Sequence, residues 1–397
     1  MAESPEGTGI SLLHITPSYL PATIYGGPTL SVSRLCEAQV QLGATVRVLT
    51  TTANGPAELD VPRGEARLVN GVEVYYYRRL TKDHTHFSPA LLWQVWRQCR
   101  RYDIVHIHSW WNLVAVLSAF LCMLRGKRFI LSPRGMLSPY TLSSPLKRAF
   151  HRWPGAWILK HGTLHATTEQ EAEECLKVVP NWLYFIAPNI IPLPPLHQAR
   201  RASTQSAQRT STLLFLSRID PKKGLELLFQ ALAQTSYRLR IAGSGDPAYI
   251  ASLKALAEQL GIAGRIEWLG WVEGEDKFRL LAEAELLVLT SHNENFANVV
   301  LESLAVGTPV LLSEQVGLSR YVQAKDLGWV TSLDARAIAR ALDSARADEG
   351  KRRRIREQAP ALVREDFEAG KVAGEYMTPY TNSKKLSLLT PRKEEPA

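Results

Sequence analysis

The run Ser291-His-Asn-Glu-Asn-Phe-Ala-Asn-Val-Val-Leu-Glu-Ser-Leu-Ala-Val-Gly-Thr-Pro-Val310 carries two carboxylates, Glu294 and Glu302, with seven residues between them. The residues before it, Leu286-Leu-Val-Leu-Thr290, are apolar, and those after the loop show helical spacing at Val299, Val300, Leu304 and Ala305. The pattern reads as strand, loop, helix. At a rise of ~1.5 Å per residue, eight positions amount to about two turns, so Glu302 sits on a helix near Glu294 at the loop junction. The backbone N–H groups of Asn295, Phe296, Ala297 and Asn298 then open a helix N-terminus, where an anion such as a phosphate is favoured. A phosphate seat between two hydroxyl-binding carboxylates suits a nucleotide sugar. An ordinary charged helix start is the structural alternative.

This stretch resembles the signature of the large family 4 of retaining glycosyltransferases. The resemblance implies the GT-B architecture, in which two doubly wound, Rossmann-like α/β domains face each other across a cleft. It also implies that Glu294 faces the donor sugar and that Glu302 binds the ribose hydroxyls. The sequence departs from the family at Ala297, where a glycine is usual.

The remaining composition fits that expectation. A chain of 397 residues, 45% of them hydrophobic, is long enough for two globular cores. The segment before Ile10 has no basic n-region and no apolar h-region, so no secretory signal is read and a cytoplasmic location is expected. The longest apolar stretch, Leu113 to Leu124, is shorter than the ~20 residues needed to span a bilayer and reads as a buried helix. Cys36, Cys99, Cys122 and Cys175 show no metal-binding spacing and are assigned no chemistry. Residues 1–200 hold 20 Lys/Arg against 13 Asp/Glu, so +7 of the net +9 lies in the first half. That excess suits an anionic substrate or an anionic membrane surface; with no recognisable nucleic-acid module, nucleic acid is not expected as a partner.

Along the chain, strands are expected at 11–16, 45–51, 72–79, 104–108, 128–132, 163–168 and 184–188, alternating with helices. A second series follows at 212–217, 238–242, 265–269, 286–290, 309–313 and 328–331. Such alternation implies parallel sheets with helices on both faces, and ligands at the carboxyl ends of the strands. The expected domains are 9–195 on the acceptor side, a linker at 196–210, a nucleotide-sugar domain at 211–365, a helix at 366–380 crossing back to the first domain, and a frayed tail at 381–397.

Further positions gain meaning from the resemblance. Arg218 and Lys223, after the strand at 212–217, resemble the pair that holds the donor diphosphate; fixed cations there would stabilise the leaving group without a metal ion. Gly27, in a glycine pair before a helical stretch from Leu30, resembles a turn whose backbone approaches the phosphate. Gly243 and Gly245 resemble the glycine-rich turn beside the donor phosphate, and the segment at 269–272 resembles the one that meets the nucleobase. His108, ending the strand at 104–108, resembles a histidine that contacts the donor sugar or supports developing charge. His106 is expected on the opposite face of that strand, as core. Arg134 ends a strand and is a candidate for binding the acceptor. Mixed cations and tryptophans at 91–101 and 145–160 suit either a membrane interface or a packed core.

The expected function is a retaining, metal-independent glycosyltransferase without a cofactor. It would move a hexose from a UDP- or GDP-sugar to a lipid-linked or polysaccharide acceptor in exopolysaccharide, lipopolysaccharide or other cell-envelope glycan synthesis. Two alternatives remain. Gly243-x-Gly245, with Glu267 some 20 residues on, fits a dinucleotide fingerprint and would suggest an NAD-dependent enzyme. A non-catalytic scaffold of the same fold is the other.

Overall fold

The computed structural model describes residues 9–142, 144–194 and 211–386. These fall into two units, one formed by Met1–Ile191 with Ala369–Ala397 and the other by Pro192–Glu368. The linker expected at 196–210 lies outside the described residues.

The first unit is built on strands β1 (Ser11–Ile15), β2 (Thr45–Thr51), β5 (Ala66–Val69), β6 (Val72–Tyr77), β7 (Ile104–His108), β8 (Ile130–Ser132), β9 (Thr163–Ala166) and β10 (Tyr184–Ile186). A short ribbon of β3 (Ala53–Asn54) and β4 (Ala57–Glu58) stands apart from the sheet. The order is β10-β9-β8-β7-β1-β2-β6-β5. All pairings are parallel except β5 with β6. The purely parallel alternation expected from the sequence therefore misses β5 and the ribbon. Ala66–Val69 carries no buried face, with Leu68 74% exposed, so it offers no periodic signal.

Alternate residues of the central strands feed two cores. Leu13, Val105 and Ile107 join one hydrophobic cluster, while Leu12, Val46 and Val48 join the other. The period of two thus buries both faces, which requires helices on each side. Helix Leu113–Leu124 follows the expected bounds, capped by Asn112 accepting from the Ala115 N–H at 2.8 Å and burying Val114, Ala115, Ala119, Cys122 and Met123. Helix Ala369–Leu386 supplies Val372, Ala373, Tyr376, Met377 and Tyr380 to the second core. Asp366, the expected start of this helix, instead ends the preceding helix Glu349–Asp366, and residues 381–386, expected as tail, are helical. The tail beyond 386 is outside the described residues.

The second unit is a parallel sheet of β11 (Thr212–Leu216), β12 (Arg238–Ala242), β13 (Ile266–Gly270), β14 (Leu286–Leu289), β15 (Val310–Ser313) and β16 (Gly328–Thr331). Its order is β13-β12-β11-β14-β15-β16. The first strand lies at the centre and the chain reverses direction between β11 and β14, the doubly wound arrangement whose crevice lies at that reversal. In the first unit the corresponding reversal lies between β1 and β7.

Candidate functional site

The loops leaving β11 and β14 bring the charged candidates of the second unit together. After β11, Asp220 accepts from the Lys222 N–H at 3.0 Å and caps the short helix Pro221–Lys223. Gly224 closes the turn at φ 65°, and a Cβ there would lie 2.1 Å from the Thr290 carbonyl oxygen. Glycine is required on both counts. After β14, the His292 N–H donates to the Lys222 carbonyl at 2.7 Å, tying the two loops. Glu294 is held from the other side, its N–H donating to Gln315 O at 3.2 Å and its carbonyl accepting from Gly317 N at 2.8 Å. Backbone bonding thus positions the Glu294 carboxylate before any ligand arrives.

Lys223 is buried and forms an ion pair with Glu294. The adjacent Lys222 has its ammonium pushed below the ordinary lysine range by burial and by the neighbouring Lys223 charge. Arg218, in the same turn, is exposed. Glu302 lies on helix Asn298–Ala305, is buried, and accepts from Lys277 Nζ at 2.7 Å. Lys277, on helix Gly274–Glu283, was not singled out from the sequence. Its i+25 separation from Glu302 carries no local signal.

Between the two carboxylates, Phe296 is buried and Ala297 sits at φ 63°, ψ 70° as the residue before helix Asn298–Ala305. This is left-handed backbone, which an L side chain adopts at a cost of roughly 1–2 kcal/mol. The departure from glycine therefore falls where glycine's freedom matters.

Gly243 and Gly245 follow β12, not the first strand of the unit. A Cβ on Gly243 would lie 1.9 Å from Ser217 O, and one on Gly245 2.0 Å from Ile219 O. Ile219 N donates to Ser244 O at 2.8 Å, so the glycine turn packs backbone to backbone against the Arg218 loop. That close approach accounts for both glycines without a dinucleotide. Glu267, the acid of the rival fingerprint, pairs with Arg240 at 2.9 Å on the exposed edge. Trp271, in the segment at 269–272, is half exposed.

In the first unit, Gly26 has φ 67° and helix Gly27–Gln41 begins at Gly27, three residues earlier than expected. Gly27 is exposed at the β1 end of the strand-order reversal. His108 stands at the carboxyl end of β7 as expected, but its ring is buried. His106 is not on the opposite face: the His106 and His108 ring centroids are 4.2 Å apart, because residues two apart on a strand point the same way.

Both rings belong to a buried histidine layer that sequence spacing did not reveal. Tyr380 OH meets His106 Nδ1 at 2.6 Å, and Ser132 Oγ lies 2.6 Å from both His106 Nε2 and His165 Nδ1. His165 Nε2 donates to Ala187 O at 2.9 Å. With imidazoles kept neutral by burial, that last bond fixes the direction of the chain: Ser132 donates to His165, His106 Nε2–H donates to Ser132, and Tyr380 donates to His106. His108 Nε2 lies 2.9 Å from His14 Nδ1, and Arg134 Nη2 lies 3.4 Å from His108 Nδ1. Burial lowers the pKa of His14 and of His165 to about 3, and holds His106 and His108 well below the ordinary value, with Arg134 adding repulsion.

Arg134, at φ 52°, spends its guanidinium inside the unit, donating from Nη1 to Ser31 Oγ at 2.8 Å and Asn189 Oδ1 at 3.0 Å. Those contacts tie three segments of the first unit together. They give Arg134 a structural part to set beside the expected acceptor contact.

Comparison with known proteins bears on family and fold. Residues 197–362 match the family model described as glycosyl transferases group 1, and residues 26–189 match a glycosyl transferase 4-like domain. The chain is 28% identical over 357 residues to a D-inositol 3-phosphate glycosyltransferase of Jonesia denitrificans, covering 80% of this chain and 82% of that protein. Among solved structures, Anabaena Alr3699/HepE in complex with UDP and glucose superimposes with a TM-score of 0.72 at 17% identity, covering 94% of this chain and 100% of the other. WaaG, a glycosyltransferase involved in lipopolysaccharide biosynthesis, gives 0.67 at 17% identity, covering 93% and 99%. At such identities the structural likeness establishes the fold, which is GT-B.

Proposed function

The chain belongs to the group 1 glycosyl transferases, and on that premise we propose that it transfers a hexose from a UDP- or GDP-sugar, with retention of anomeric configuration. The acceptor in this reading is lipid-linked or a growing polysaccharide of the cell envelope, and the basic first unit makes peripheral contact with an anionic membrane. The observation that carries the reading is the meeting of Lys223 with Glu294 where the strand order of the second unit reverses, with Glu302 on the helix that follows. The UDP and glucose held by the Anabaena protein, and the lipopolysaccharide role of WaaG, support the donor and acceptor classes by likeness of fold.

Each residue then has a task. Glu302 accepts from the ribose hydroxyls and Glu294 from those of the transferred sugar. Arg218 and Lys223, with the amides of 295–298, stabilise charge on the departing diphosphate, so the charge is met by fixed protein groups and no metal ion is required. Lys223 is paired with Glu294 in the resting protein, which keeps both charges satisfied until diphosphate and sugar replace them. Gly27, Gly243 and Gly245 bring backbone close to the donor phosphates. His108, a neutral imidazole whose ring is buried in the resting protein, supports the developing charge on the sugar in this reading, and Arg134 serves the acceptor. The acceptor hydroxyl attacks from the face that the diphosphate leaves, and a donor phosphate oxygen takes its proton. No enzyme nucleophile takes part.

A thermal-shift panel of UDP, GDP, ADP and NAD tests the donor class. A ligand at ~100 times its dissociation constant adds about 2.7 kcal/mol, a visible rise in midpoint. A rise with UDP or GDP alone supports the reading, and a rise with NAD alone overturns it. Product anomeric configuration by NMR tests retention, and unchanged turnover in chelator tests the absence of a metal requirement.

A further inference from the structure

Helix Pro145–Phe150, a π-helical turn at His151–Gly155 and helix Ala156–Lys160 run on without a break. Pro154 accounts for the wide turn, since it has no N–H to donate to the carbonyl four residues back. A Cβ on Gly155 would come within 2.8 Å of the Phe150 ring. The wide turn re-phases the segment. Leu146, Ala149, Arg152, Trp157 and Lys160 are exposed at spacings of three, three, five and three, and Pro145, Arg148 and Pro154 are exposed beside them. The spacing of five spans the π turn, so the residues at these spacings share one outward stripe. The opposite stripe is anchored: Trp110 Nε1 donates to His151 Nε2 at 3.1 Å, Lys147 Nζ lies 5.0 Å from the centroid of the Trp111 ring, and Ile158 and Leu159 are buried.

The outward stripe combines large apolar groups with cations. Leu146 is 79% exposed and Trp157 is 56% exposed. No Asp or Glu occurs between Asp103 and Glu169, and of the eight Lys/Arg in that stretch Arg128, Arg148, Arg152 and Lys160 are exposed, while Arg134 and Lys147 turn inward. A surface awaiting a protein partner of mixed charge has no use for such exclusion of carboxylates. A free polyanion would need the cations but neither Leu146 nor Trp157. An anionic bilayer needs both, because apolar side chains enter the headgroup boundary while Lys and Arg stay at the charged surface. Among the described residues no helix is long and apolar enough to cross a membrane.

We propose that the outward stripe of residues 145–160 lies in the headgroup boundary of an anionic lipid bilayer and seats the first unit on it. This deepens the acceptor side of the function proposed above, while its test needs no catalysis. The full chain is floated with phosphatidylglycerol-containing vesicles and with phosphatidylcholine vesicles, at low and high salt. Recovery with the anionic vesicles should exceed that with the neutral ones by about tenfold or more and fall with salt. Arg152→Glu with Lys160→Glu should abolish the preference, and Leu146→Ser with Trp157→Ser should lower recovery about tenfold at unchanged charge. Trp157→Leu should keep binding but lose part of the tryptophan quenching by brominated lipid.

Equal recovery with both vesicle types overturns the proposal. So does retention of binding by both double variants with unchanged melting temperature. If the serine pair leaves binding intact while heparin competes fully, the surface is a polyanion site and the bilayer is rejected. UDP and GDP binding, measured on the same preparations, separates failure of this surface from failure of the donor assignment.

Discussion

Lowering the pH from 7 to 5 should destabilise the first unit and leave the second nearly unchanged. His14, His86, His106, His108, His151 and His165 are all buried in the first unit, and burial is the first cause lowering each pKa. In the described part of the second unit the only histidine is His292, which is exposed. An imidazole whose pKa falls from about 6.5 unfolded to about 3 folded leaves the unfolded chain holding more protons below pH 6.5. Stability therefore drops as the pH is lowered through that range. At pH 5 the loss is about 2 kcal/mol for each of His14 and His165, or roughly 4 kcal/mol for the pair, since the folded pKa lies well below the working pH. In a unit of this size the pair alone corresponds to about 8–16 °C in melting midpoint, and His86 and His151, lowered to about 4, add to it with the same sign. The hydrogen-bond chain is consistent with that sign, because a proton on His106 Nδ1 would face the Tyr380 hydroxyl that donates to it. Calorimetry at pH 7, 6 and 5 should resolve two transitions, only one of which moves. His14→Gln should reduce the pH-dependent shift by about 4–8 °C, whatever it does to the midpoint at pH 7. A pair of transitions that move together, or neither moving before carboxylates titrate, would refute the reasoning.

Four further outcomes concern the second unit. Glu302→Ala should weaken UDP or GDP binding by about 1–3 kcal/mol, and Lys277→Ala should lower the unit's melting midpoint by stranding a buried carboxylate; calorimetric titration and melting on each variant check both. Ala297→Gly relieves left-handed strain but loses a buried methyl and adds unfolded entropy, so urea unfolding should show between no change and about 1 kcal/mol of stabilisation. A loss larger than ~1 kcal/mol would mean that the backbone there is unstrained. Gly243→Ala drives a methyl against the Ser217 carbonyl and should cost about 3 kcal/mol or more in urea, with or without NAD present; a silent substitution would contradict the close packing.

The strands of both units were legible because each central strand is a short apolar run ended by a turn signal, and burial on both faces makes such runs continuous. What escaped had no such face. The edge strand Ala66–Val69 is exposed, and the extra turns of the last helix, to Leu386, lie in polar sequence. Among candidate residues, Glu294, Lys223 and Arg218 could be singled out in the sequence because each follows a strand end, where a parallel sheet presents its ligands. Lys277 was missed because a helix surface lysine looks the same whether or not a distant carboxylate waits for it. His106 was misplaced by a slip in the period of two, which puts it beside His108.

Local order of residues determined which segments are strands and helices, where the glycines stand, and that Glu294 lies in a loop with Glu302 on the helix that follows it. Those are properties of neighbours in the chain, set by side-chain period and backbone sterics. Partnership was not determined that way. The pairing of Lys223 with Glu294 and of Lys277 with Glu302, the closing of Tyr380 onto His106, and the enclosure of His108 join residues 71, 25 and 274 positions apart, or bury one among them. Strand order and the docking of helices on the sheets bring such residues within reach, and burial then converts proximity into a fixed charge state. The same imidazole is a titrating surface group in the unfolded chain and a neutral hydrogen-bond link in the folded one, because only the packed interior removes the water that would solvate its proton.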